Sequence, residues 1–192
     1  MGDAAFLRRA GTAAYGVALF SIAYAVVYLG FASRDPTNVV AVQLAWALIA
    51  AGALSASIAT AGLASYIGGA AGIWLTAFGV GYSLLAVTHG TYAAIAAAQG
   101  FADLDLSPTD PRGLATFGLA GLWLVMAGLE LRGRTGLRLA YPRLAIVAGV
   151  DLILLYVATV VGYTPAILVT GGLASVVLGP TFWAMTGRLL RG

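Results

Sequence analysis

Residues 37–98 read TNVVAVQLAWALIAAGALSASIATAGLASYIGGAAGIWLTAFGVGYSLLAVTHGTYAAIAAA, a hydrophobic stretch of about 60 residues that would run roughly 90 Å as one helix. A bilayer's hydrocarbon core is only about 30 Å thick, so the chain must turn back within it. Tyr66 and the Gly68-Gly69 pair, inside 63–72, place that turn. Two spans result, at about 38–62 and 70–98.

Outward from this stretch the same texture continues. Of 192 residues, 61% are hydrophobic and 9% charged, with a mean hydropathy of +0.95. An ordinary soluble domain carries about 25% charged residues, so there is too little polar surface here to cover a water-soluble globule. Further spans fall at about 10–32, 112–131, 143–162 and 166–187, predicting an all-α polytopic bundle of six transmembrane helices in a single membrane domain, residues 1–192. The run 10–32 is too long for the core of a cleavable signal peptide and is read as a retained first span. Capping residues before proline mark four starts: Asp35-Pro36, Asp110-Pro111, Thr164-Pro165 and, more weakly, Tyr141-Pro142.

All ten basic residues are Arg. With the N-terminus inside, Arg8, Arg9, Arg132, Arg134, Arg138, Arg143, Arg188 and Arg191 lie inside, whereas Arg34 and Arg112 lie outside. That bias predicts both termini on the cytoplasmic face of a prokaryotic cytoplasmic membrane. The net charge of +3 is thereby read as topology rather than affinity for nucleic acid. Glu130 is placed to pair with Arg134 at i+4. The loop carrying Arg132, Arg134, Arg138 and Arg143 should attract anionic lipid headgroups at the inner leaflet, at about 1 kcal/mol each before screening. Asp103 and Asp105 in the outer loop lack the further ligands of an EF-hand and read as solvated acids.

Small residues recur at helical spacing: Ala51, Ser55 and Ala59; Gly68 and Gly72; Gly171, Ser175 and Gly179. These are packing signals, because small residues let helix backbones approach closely in lipid. Gly179-Pro180 should kink the last span, since proline removes a helical hydrogen bond. On the third span Trp74, Phe78, Tyr82, Leu85, His89 and Tyr92 form a stripe opposite Gly72, Thr76, Gly79, Ser83, Ala86, Gly90 and Ala94. The small face should meet neighbouring helices. The aromatic face, with the chain's single His, should meet something other than acyl chains: another helix, a neighbouring subunit or a macrocycle. Gln43 is the candidate polar partner for His89.

Asp151, about 12 Å inside the fifth span, is an intramembrane carboxyl on a face with Leu144, Ala148, Leu155, Ala158 and Gly162. It is expected to be buried in the bundle, either as neutral, hydrogen-bonded structural glue or as an ion or proton site. His89 lies nearer the outer leaflet, so no direct pair is expected.

Catalytic signatures are absent: no H-E-x-x-H, G-x-S-x-G or Walker A. Without Cys there are no thiolate sites, without Lys no Schiff-base cofactor, and one His cannot supply both ligands of a bis-histidine haem. The segment from Pro165 through Gly171-Gly172 to Gly179-Pro180-Thr181-Phe182-Trp183 and Gly187-Arg188-Leu189-Leu190 resembles the last helix of an uncharacterised bacterial family of six-helix integral membrane proteins. That resemblance, over about 25 residues, implies the helix count and brings no activity. The leading expectation is a non-catalytic bundle acting as an accessory subunit of a larger membrane complex. The alternatives are a small transporter or ion-conducting protein using Asp151 and His89, and pigment or haem binding through His89.

Overall fold

The computed structural model describes residues 2–100, 111–134 and 136–192, so the acidic loop with Asp103, Asp105 and Asp110 lies outside the described residues. The described chain is all-helical. In order come α1 (Gly2–Val27, continued by a π-helical turn Tyr28–Ala32), α2 (Val39–Ile67), α3 (Gly69–Gln99), α4 (Pro111–Arg132), α5 (Ala140–Val161) and α6 (Thr164–Arg191). Within α6, Leu173–Leu178 forms a second π-helical turn. Five of these six, all except α4, are long and apolar enough to cross a membrane. Their outer faces are apolar too, with Val40, Ile73 and Val161 each about three-quarters exposed, which fits an integral membrane protein surrounded by acyl chains.

Neighbours in sequence are neighbours in space: α1 packs on α2, α2 on α3, α3 on α4, α4 on α5 and α5 on α6, and α6 returns to α1. The six helices therefore close a ring. The break between α2 and α3 falls on the expected glycines. Gly68 and Gly69 both adopt positive φ (70° and 62°), which lets α3 reverse beside α2 after one intervening residue. The backbones stay in contact beyond the turn, since a Cβ on Gly72 would sit 2.6 Å from the Ala64 carbonyl oxygen.

Several starts differ from the sequence reading. Asp35 does not cap α2; its carboxylate accepts from the Thr37 amide (3.1 Å) and hydroxyl (2.6 Å), forming the turn that holds Pro36. The cap is Asn38, whose side chain accepts from the Ala41 amide at 3.1 Å. Pro142 sits inside the first turn of α5, where no intrahelical donor is lost. Gly179-Pro180 widens α6 rather than simply bending it: the Gly179 amide donates five residues back to the Ala174 carbonyl. Proline has no amide to donate, and its ring conflicts with the carbonyl four residues before it, so the preceding turn opens.

Most of the small face of α3 packs inward, with Gly72, Gly79, Ser83, Ala86 and Gly90 buried, whereas Thr76 is exposed and Ala94 only partly buried. A Cβ on Gly90 would lie 3.0 Å from the Ala50 nitrogen, and one on Gly79 would lie 2.7 Å from Thr60 Cβ and 2.8 Å from Trp123 Nε1. Gly79 thus admits Trp123, which is fully buried and donates its indole N–H to the Leu75 carbonyl at 2.8 Å. Around Trp123 stand Tyr82, Phe182 and Trp183, with ring centroids 6.1, 6.4 and 5.9 Å away. Tyr141 stacks on Phe182 at 5.5 Å and its hydroxyl meets Thr186 Oγ1 at 2.7 Å. The small residues of α6 behave otherwise than expected: a Cβ on Gly171 would only graze Leu155, and the close crossing is at Gly187 against Gly11.

Gly79→Val should lower the thermal stability of the purified protein by about 1–3 kcal/mol, because the new side chain must displace Thr60 or Trp123. Gly81, whose added Cβ meets nothing within 4 Å, is the control; Gly81→Ala should leave the melting temperature unchanged or slightly higher.

Candidate functional site

Apart from aromatic side chains, five polar side chains are buried among the described residues: Thr60, Ser83, Asp151, Thr159 and Thr186. The four hydroxyls satisfy themselves within their own helices. Thr60 donates to the Ser57 carbonyl, Ser83 to Gly79, Thr159 to Leu155 and Thr186 to Phe182, at 2.7–3.1 Å. A carboxylate has no such exit. It only accepts, and the amides in the middle of a helix are already committed to carbonyls four residues back.

Asp151 is the one carboxyl in this set. It is 8% exposed, and its Oδ2 is buried with no hydrogen-bond partner. Because α5 begins at Ala140 rather than near 143, Asp151 lies at the helix midpoint, about 16 Å from the start. Its flanking residues on the same face are Ala148, in the cluster that includes Phe182 and Trp183, and Leu155, which approaches Gly171. The π-helical turn of α6 also packs against α5. The turn also holds a carbonyl bonded outside its own helix: Ser175 O accepts from Ser21 Oγ of α1 at 2.9 Å.

His89 stands elsewhere, on α3. It is half-buried and meets Trp46 of α2 edge-on, with centroids 4.9 Å apart and planes at 89°. Gln43, three residues before Trp46, is exposed. The aromatic stripe does not act as one face. Tyr82 turns into the core, Trp74 and Phe78 stack at 4.1 Å against it, and Leu85 and Tyr92 are nearly half exposed. The cause is the ring: α3 is flanked by both α2 and α4.

The basic loop also divides. Arg134 does not pair with Glu130; its guanidinium donates to the Tyr66 and Ile67 carbonyls at the end of α2 and lies 5.5 Å from the Tyr66 ring. A cation on the last carbonyls of a helix satisfies orphan acceptors and complements the dipole, which outweighs a surface ion pair. Arg132, Arg138 and Arg143 are exposed. No group of three His, Cys, Asp or Glu capable of holding a metal occurs among the described residues. Missed by the sequence reading is a cluster of Arg8, Arg9 and Arg191, which only the α1–α6 crossing assembles.

Comparison with protein-family models, curated proteins and solved structures finds no match to this chain. Function must therefore be argued from this geometry.

If the Asp151 carboxyl is held against stability, Asp151→Val should raise the melting temperature, by an amount equivalent to about 1–3 kcal/mol for an orphaned buried polar group. A clear fall in melting temperature would show instead that the carboxyl binds helices together.

Proposed function

We propose that the chain crosses the membrane six times with both termini cytoplasmic, and that it is a small proton- or cation-coupled carrier using Asp151. A sixth span is supported by α4, which has 22 residues and fills the ring between α3 and α5. The orientation is supported by the clustering of cations at one end. Arg134 ties the end of α4 to the end of α2, while Gly62 near that end touches Ala10 of α1 and Leu190 of α6. Arg8, Arg9, Arg132, Arg134, Arg138, Arg188 and Arg191 thus gather where the positive-inside rule puts the cytoplasm, in what the composition and the resemblance of the last helix suggest is a bacterial inner membrane.

The observation that carries the function is the unpartnered Oδ2 of Asp151 at the middle of its span. An intramembrane carboxyl kept for packing would be bonded; one kept for an ion needs an open lone pair. Interrupted helices beside such groups are a recurring feature of carriers, because a widened turn exposes backbone acceptors at depth. The Leu173–Leu178 turn packs against α5. Since aromatic side chains fill the bundle centre, the reading places ion access along the α5–α6 seam. His89, against Trp46 on the α2 side, takes no part in it.

A second reading, the accessory subunit of a larger complex, is favoured by the outer half of α3. There Leu85 and Tyr92 are 47% and 46% exposed. A face of this kind suits a second membrane protein as well as lipid.

Fusions of a reporter after Arg138 and at the C-terminus should read cytoplasmic, and one between Phe101 and Ser107 external; an external reading after Arg138 would overturn the orientation.

In proteoliposomes under an imposed potential, proton uptake should be at least about tenfold faster with the unaltered protein than with Asp151→Asn, which keeps shape but cannot ionise. Equal rates of proton uptake, and of sodium or potassium uptake measured in the same way, would remove the carrier reading. Stoichiometric membrane partners, copurified with unaltered protein but lost on Tyr92→Ala, would establish the second.

A further inference from the structure

The ends of the chain meet at one end of the bundle. Gly11 of α1 and Gly187 of α6 cross so closely that a Cβ on Gly11 would lie 2.9 Å from the Gly187 carbonyl oxygen, and one on Gly187 the same distance from the Gly11 carbonyl oxygen. This crossing fixes Arg191, one turn beyond Gly187, beside the first turns of α1. The result is an open cavity of about 300 Å³ lined by Ala5, Arg8, Arg9, Thr12 and Arg191. Among the described residues that line it, three of five are cations and none is a carboxylate. Thr12 donates to the Arg8 carbonyl at 3.2 Å, and the Arg191 guanidinium lies 5.9 Å from the Tyr15 ring. Both contacts hold the cavity's walls without neutralising any charge.

We propose that this cavity is a phosphate-binding site, its occupant the headgroup phosphate of an anionic phospholipid. Like charges held together by a tight backbone crossing repel one another, and a bound anion relieves that repulsion. Arginine suits phosphate because its planar fork offers paired donors to two oxygens at once. The cavity opens beside the apolar outer face of α1, where Phe6 is 38% exposed and Leu19 65% exposed, so acyl chains attached to the phosphate would run along that face. A lipid bound here would bridge the first and last helices and so close the ring. The site is distinct from the Arg132–Arg143 loop and stands or falls independently of any role for Asp151.

The test uses full-length protein in detergent, with dioleoyl-phosphatidylglycerol, dioleoyl-phosphatidylcholine or inorganic phosphate added, and reads thermal stability and lipid retention in native mass spectra. Phosphatidylglycerol should raise the melting temperature of the unaltered protein where phosphatidylcholine does not. Retention should fall about tenfold in Arg8→Gln/Arg9→Gln/Arg191→Gln, and less than about threefold in the charge-matched control Arg132→Gln/Arg138→Gln/Arg143→Gln. Inorganic phosphate giving the full stabilisation at millimolar concentration would keep the site but replace the lipid by free phosphate. Equal losses in the two triple variants, or no phosphatidylglycerol-dependent stabilisation of the unaltered protein, would overturn the proposal. The second of these readings needs no variant and so survives any folding defect.

Discussion

The indole N–H of Trp123 on the Leu75 carbonyl is the contact on which the arrangement turns. In hydrocarbon there is no water to accept that proton, so the largest side chain on α4 must find a backbone oxygen, and it reaches one only because Gly79 leaves the groove open. Once seated, Trp123 offers its ring to Tyr82, Phe182 and Trp183, joining α3, α4 and α6. Lipid tails are as apolar as leucine, so helices gain nothing from apolar burial as such and associate through packing and occasional hydrogen bonds. A single interdigitated aromatic cluster, with the Tyr141–Thr186 bond beside it, supplies both.

Asp151 is informative because the rest of the bundle is so consistent. Serine and threonine carry a donor and can return it to the preceding turn, which is why four buried hydroxyls are quiet. An ionised carboxylate cannot use that solution. Its survival at the midpoint of α5, a helix that also packs on the turn that proline has opened, sets one seam of the ring apart from the others. The two features have separate local causes, Asp151 in α5 and Pro180 in α6, and are related only through the packing of these helices.

Much of this was legible in the residues. Long apolar runs and the Gly68-Gly69 pair announced the helices and the sharpest turn, because hydrocarbon thickness and positive φ are local constraints. The inward small face of α3 was legible for the same reason: Gly72, Gly79, Ser83, Ala86 and Gly90 repeat at helical spacing. The aromatic stripe was misleading. Spacing assigns Tyr82 and Tyr92 to one side, yet Tyr82 faces Trp123 while Tyr92 stands partly open, since a helix with two neighbours has no single buried side. The Glu130–Arg134 pair failed similarly: i+4 spacing shows who is near along a helix, not that the α2 carbonyls stand closer.

The sequence by itself determined the solvent, the class of structure and the residues whose chemistry is expensive in that solvent, because these follow from composition and from one-dimensional periodicity. Only the tertiary structure decided that the six helices close a ring and that Asp151 Oδ2 has no partner. It alone brought Arg8, Arg9 and Arg191 together. Each is a relation between segments far apart in the chain, and such relations are fixed by which backbones can approach, at Gly79 and at the Gly11–Gly187 crossing, rather than by any property of the residues taken singly.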